Sequence, residues 1–229
     1  MGVPSGGWSQ QLIGSAAVLL WLLVLAVLTM ALRARWPEQP EWSRKLVHIG
    51  AGLVVPLAWG LGIDRWIAIG AAALVTLLAA YNQRHRLLPG IEDVGRSSYG
   101  TIGYGASITL LLLLWWPDQH ATVTAGVLVM AFADGLAGLV GSSVVSPSWT
   151  VLGQRRSLVG TLIMAITSLA VLQGLGMVCA AAGLPAPTPP EVLALALTAV
   201  LLEQIAVLGL DNFTVPIGIG LLWQLLSQT

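Results

Sequence analysis

Eight apolar stretches run along the chain, near 10–32, 46–62, 66–82, 100–116, 121–144, 157–183, 191–208 and 213–227, each separated from the next by Gly, Pro or charged residues. A helix needs about 20 mostly apolar residues to cross the hydrocarbon core of a bilayer. The pattern therefore predicts an all-α, polytopic integral membrane bundle of eight helices. Because the crossings use up the chain, residues 1–229 are expected to form a single transmembrane domain with no soluble one beside it. The second and third stretches are short and separated only by Gly62 to Arg65, and a tilted or partly re-entrant pair there would give seven crossings. Residues Met1 to Leu32 carry no charge, and no basic segment precedes the first apolar run. A removable secretory signal has such a segment, so the first helix is expected to be retained.

Composition agrees with this pattern. The chain is 56% hydrophobic and 9% charged, with a mean hydropathy of +0.85, whereas soluble domains carry about 25% charged residues. Ten basic and ten acidic residues cancel, so no overall field would attract nucleic acid or an acidic partner. The single Cys179 lies in an apolar run and excludes an internal disulfide or a thiolate metal cluster. No internal repeat supports an inverted-repeat transporter.

The basic residues fall on one side of the predicted register. Arg33, Arg35, Arg44 and Lys45 lie in the first loop, Arg84, Arg86 and Arg96 in the third, and Arg155 and Arg156 in the fifth; only Arg65 falls opposite. The positive-inside rule then puts these loops, and the seventh around Asp211, in the cytoplasm, with both termini outside. Opposite-side links such as Pro117-Asp118-Gln119-His120 and the proline-rich 185–190 read as spacers.

Four groups of residues are out of place in a purely structural bundle. Asp134 sits among Ala131-Phe132-Ala133 and Gly135-Leu136-Ala137-Gly138, with Gly141 beyond, and Glu203 sits in Leu201-Leu202-Glu203-Gln204-Ile205. A carboxylate inside an apolar segment costs about 2.5–3.5 kcal/mol on insertion scales, and neither acid has a basic neighbour in its own helix. One reading is interhelical hydrogen bonding that fixes packing; the other is a ligand site, with the small residues letting a bulky polar group approach. Arg44 and Lys45 lie one turn before His48, so all three can share a face at the cytoplasmic boundary, as a basic anchor or as a site. Gly153-Gln154-Arg155-Arg156-Ser157-Leu158-Val159-Gly160-Thr161 puts two guanidinium groups and a hydroxyl at an expected helix start, which is anion-binding chemistry without a Walker A sequence. Asp211-Asn212 ahead of Pro216 reads either as a turn into the last helix or as a further ligand pair on the same side of the membrane.

Together these residues resemble the CTP-dependent polyprenol kinases in their phytol kinase branch, a family that also includes dolichol kinases. The likeness runs from about Arg44 to Pro216. It rests on Arg44-Lys45-Leu46-Val47-His48, a Tyr-Gly segment between Tyr99 and Tyr104, Asp134-Gly135 with Ala137 and Gly141, Ser157 before Gly160-Thr161, and Glu203 ahead of Asp211-Asn212. The chain departs from the family pattern at Ala133, where a Gly is usual, at Ser142, where a basic residue is usual, and at Arg156, where a Lys is usual.

The resemblance implies transfer of the terminal phosphoryl group of CTP to the hydroxyl of a membrane-dissolved isoprenoid alcohol, phytol first among them, with Mg2+ bridging the phosphates. Asp134, Asp211, Asn212 and Glu203 would hold the metal. Arg44, Arg155, Arg156, Ser157, Gly160, Thr161, Gly135 and Gly141 would receive the nucleotide. Lys45 would neutralise the triphosphate, and His48 or Asp211 would orient or deprotonate the alcohol. In a cyanobacterium the expected location is the thylakoid or plasma membrane, with the product feeding tocopherol synthesis. Farnesol, geranylgeraniol or a dolichol- or undecaprenol-type lipid are alternative acceptors. A membrane cytidylyltransferase is a second enzyme reading, and a small transporter is the reading outside enzymes.

Overall fold

Why the chain turns where it does follows from its caps and breakers. The computed structural model describes residues 7–85 and 99–228, so Arg86 and Arg96 lie outside the described residues. Helix α1 spans Trp8–Arg35 and ends in two arginines. Pro40 occupies the first turn of α2, Pro40–Gly52, where its missing N–H costs nothing. A one-residue break at Leu53 separates α2 from α3, Val54–Gly60, and α4 follows at Arg65–His85. Helix α5 is Gly100–Trp115. The next span is one continuous rod in three parts: α6, His120–Leu128, a π-helical stretch, Val129–Asp134, and α7, Gly135–Ser143.

A short hairpin then intervenes, β1 Ser148–Val151 and β2 Gln154–Ser157, before α8 at Leu158–Ala181, α9 at Pro189–Ile205 and α10 at Asp211–Leu226. Helix α9 opens with a capping box between Thr188 and Glu191. The chain passes from α9 to α10 through Leu208 and Gly209, both in the left-handed region.

The eight apolar stretches each become a helical segment, with α2 and α3 forming the second. Among the described residues four helices are long and apolar enough to cross a membrane, Trp8–Arg35, Arg65–His85, His120–Ser143 and Leu158–Ala181, and Gly100–Trp115 is a shorter apolar one. The architecture is nearly all-α. The helix expected from 157 starts at Leu158, but the arginines before it are not on its first turn: Arg155 and Arg156 lie on strand β2, paired in register with Thr150 and Trp149. The reason for the hairpin is local. Leu152 and Gly153 both take positive φ, as a two-residue type I′ turn requires, and Trp149 and Thr150 favour extended backbone.

The rod at 120–143 is the axis of the bundle, with 61% of its most apolar window buried, against 6% for α4. One face packs Val129, Met130 and Ala133 against Met164 and Leu172 of α8, Leu195 of α9 and Ile219 and Trp223 of α10. The other packs Val123 and Val127 against Val55, Leu111, Leu112 and Trp116. Outer faces of α1 and α4 present Leu19, Leu20, Leu23, Leu77 and Leu78 to the surroundings, a pattern suited to a lipid solvent.

Polar tethers mark the two ends of the bundle. At one end Gln11 donates to the Gly62 carbonyl (2.9 Å) and accepts from the Asp64 amide (2.8 Å), and Thr122 donates to Gln224 (2.6 Å). At the other end the start of α2, the start of α5, the hairpin and the α9–α10 connection converge. The Tyr99 amide there donates to the Leu208 carbonyl at 3.2 Å.

Candidate functional site

Asp134 is the last residue of the π-helical stretch. Such stretches are rare and frequent at functional sites, because widening the turn re-aims the side chains that follow. Its carboxylate is drawn to α2: Lys45 Nζ donates to Oδ2 at 3.0 Å and to the Asp134 carbonyl at 3.2 Å. His48 Nε2 lies 3.4 Å from the same Oδ2 and 3.0 Å from the Met130 carbonyl. Both neighbours of that nitrogen are acceptors, so the network assigns the proton to Nε2 and makes His48 a donor. Tyr104 of α5 completes the layer, stacking on the His48 ring at 4.6 Å and donating its hydroxyl to the His48 carbonyl at 3.1 Å.

The glycines around Asp134 make room for this arrangement. A Cβ at Gly135 would strike Ile49, and one at Gly138 would meet Lys45 Cε and Nζ at 2.7 Å. Gly141 faces the backbone of Gly160 and the Ser157 hydroxyl, so these two glycines let α7 and α8 touch. Gly135, Gly141 and Gly160, expected to receive a nucleotide, are thus occupied by helix packing. Arg44 turns away to a half-exposed pair with Glu41 at 2.6 Å.

Glu203 is the second buried acid, and it too takes its cation from another element. Arg156 reaches from β2 to Glu203 Oε1 and also donates to the Ala206 carbonyl at 2.8 Å. Glu203 Oε2 accepts from Gln204 Nε2 at 2.9 Å, and the same Gln204 donates to Thr161 at 2.9 Å and accepts from the Trp149 indole at 3.0 Å. Both carboxylate oxygens and two of the three guanidinium nitrogens are therefore engaged. This cluster pins the hairpin to the C-terminal end of α9. Ser157 caps α8 by accepting from the Gly160 amide at 3.1 Å. Arg155 is exposed on the hairpin and donates to Ser148 at 3.3 Å.

Asp211 opens α10 within electrostatic reach of Asp134, Lys45 and Arg156. Beside it, Asn212 Oδ1 is buried with no hydrogen-bond partner. Among the described residues no three His, Cys, Asp or Glu side chains gather into a metal-binding group of their own. Magnesium seldom needs one, since it binds through one or two carboxylates together with substrate phosphates. The orphaned Asn212 Oδ1 and the carboxylates of Asp134 and Asp211 are the oxygens that fit such an ion. Glu203, also an expected ligand, has both oxygens committed elsewhere.

The chain is 37% identical over 212 residues to the phytol kinase of Synechocystis sp., a match covering 92% of this chain and 89% of that protein. The chain belongs to the phytol kinase family. No protein-family model and no solved structure matches it.

The residues through which the sequence resembles the phytol kinase family converge at one end of the bundle: Lys45 and His48, Tyr104, Asp134, Arg156 to Thr161, Glu203, and Asp211 with Asn212. Sequence reasoning missed Gln204, which joins three elements, and Gly138, which makes room for Lys45. A Gln beside a buried Glu was the available signal for the first. The spacing of Gly138 one turn after Asp134 was the signal for the second.

Proposed function

We propose that this protein transfers the terminal phosphoryl group of CTP to the hydroxyl of phytol, releasing phytyl phosphate and CDP at the cytoplasmic face of the membrane. One observation carries the reading: within a chain of the phytol kinase family, the largely buried Asp134 carboxylate has its side-chain contacts on one oxygen alone, within electrostatic reach of Asp211 at the α10 start, where the Asn212 side-chain Oδ1 has no partner. The phytol oxygen attacks the terminal phosphorus while the bond to the bridging oxygen of CDP breaks. Positioning and charge neutralisation supply most of the catalysis in such a transfer.

Mg2+, held by Asp134, Asp211 and Asn212, would neutralise charge on the transferring phosphates. Lys45 keeps the Asp134 carboxylate in place and adds positive charge beside it. His48 donates through Nε2 and so steadies Asp134, and either its Nδ1 or Asp211 would take the hydroxyl proton. Arg155, exposed on the hairpin, is free to turn toward the polyphosphate. The apolar tail of the acceptor stays in the bilayer, where each buried methylene contributes about 0.8 kcal/mol.

The test is product identity. Purified protein in lipid nanodiscs is given phytol with CTP, UTP, GTP or ATP, and the lipid product is weighed by mass spectrometry. Phytyl monophosphate formed best with CTP is expected. A CMP-bearing lipid with released pyrophosphate would mean a cytidylyltransferase, and no nucleotide-dependent lipid product would favour the transporter reading.

A further inference from the structure

Where α1, α2 and α7 diverge, a cleft of about 270 Å3 is lined by Leu32, Trp42, Lys45, Leu46, Ile49 and Leu139. Lys45 carries the only charge among these residues. The five apolar liners are all partly exposed, so the cleft opens to the outside of the bundle, while Lys45 at its inner side is buried. Its ammonium is the group that holds Asp134. Gly138 is exposed beside it, and the absence of a side chain there leaves the approach to the ammonium clear. Trp42 packs near Trp36 with ring centroids 5.8 Å apart. Tryptophans of this kind prefer the headgroup level of a bilayer, which sets Lys45 close beneath that level and the aliphatic walls deeper.

Apolar walls leading to a single charged pair match an amphiphile with a polar head and a long hydrocarbon tail. We propose that this cleft is the lipid-side port of the site, seating the proximal isoprenoid units of the alcohol along Leu46, Ile49, Leu32 and Leu139 so that its hydroxyl reaches the Lys45–Asp134 pair. The assignment rests on the phytol kinase reading. It adds that the acceptor enters from the membrane between α1 and α7, on the flank of Asp134 that Lys45 occupies, while the nucleotide meets the hairpin and α10.

Two measurements test it. The unaltered protein in nanodiscs is irradiated with a phytol analogue carrying a diazirine on its first isoprenoid unit, and the adducts are mapped by peptide mass spectrometry. Labels on α1, α2 and α7 that excess phytol suppresses are expected. Labels elsewhere, or cleft labels that phospholipid suppresses as well as phytol does, would overturn the proposal.

In the second, Leu46→Trp and Leu139→Trp fill the cleft from half-exposed positions. Each is expected to raise KM for phytol about tenfold, the equivalent of losing roughly two buried methylene contacts, with KM for CTP unchanged. An active variant with an unaltered KM for phytol would also overturn it. Should the unaltered protein make no phytyl phosphate, the functional reading fails, and the labelling pattern still reports separately on the cleft.

Discussion

Two buried ion pairs lie at the same end of this bundle, and they differ in how completely they are satisfied. Around Glu203 every carboxylate oxygen has a donor, and Arg156 also caps the carbonyls at the end of α9. Around Asp134 the donors converge on Oδ2 alone, and among the described residues Oδ1 accepts no hydrogen bond. The first pair is closed at its carboxylate, with Arg156 Nε alone left buried and unpartnered, and joins a hairpin to a helix. The second leaves Oδ1 open, its lysine lines a cleft, and Asp211 lies within electrostatic reach. Burial and charge, which drew attention to both acids, do not tell the two apart; the leftover capacity of the carboxylate oxygens does.

The largest effect expected from this contrast is at the open pair. Asp134→Asn keeps size and most hydrogen bonding but removes the charge, so phosphorylation of phytol should fall about a thousandfold while the protein still accumulates in the membrane. An uncharged side chain is cheaper in the bilayer, so a residue used only for packing would lose nothing. Retention of more than about a third of the activity, a barrier change below roughly 1 kcal/mol, would place Asp134 with Glu203 among the structural acids.

Next in size is the closed pair. Arg156→Met strands Glu203 without its cation and should cost about 3 kcal/mol, the low end for breaking a buried pair because both side chains keep some exposure. The loss would be seen as a lower Tm and poorer accumulation. Adding Glu203→Leu should recover most of that stability, together with activity, since a buried pair can be replaced as a unit by apolar groups. A stable Arg156→Met protein with a raised KM for CTP would instead make Arg156 the phosphate contact that the sequence first suggested.

The smallest effect separates stability from activity within the open pair. Gly138→Ala introduces a methyl that must displace the end of Lys45, while Ala at an exposed helix position is favoured over Gly by up to about 1 kcal/mol. Activity should fall about tenfold with Tm unchanged or slightly raised. Equal loss of both would show that the glycine serves packing alone.

Much of this was legible in the amino-acid order. The eight apolar stretches became helical segments because a helix satisfies the backbone of an apolar run within the run itself, up to the proline or charge that breaks it. Pro40, Thr188 with Glu191, and Pro189 fixed helix starts through groups acting within one turn. The out-of-place residues were also visible as such, since an acid in an apolar run is conspicuous whatever the fold.

What tertiary structure alone decided is which of those residues meet. The sequence supplied no neighbour for Asp134 or Glu203 within their own helices. Their cations arrive from positions 89 and 47 residues away, across contacts that no local pattern encodes. Likewise the glycines after Asp134 read equally as a ligand cradle or as packing, because removing a side chain creates space without saying what fills it; Ile49, Lys45 and Gly160 fill it here. The hairpin escaped notice because four-residue strands carry too little periodicity to outweigh an adjoining apolar helix. Local free energies determined the segments, and the convergence of elements distant in sequence determined which acid is closed and which is left open.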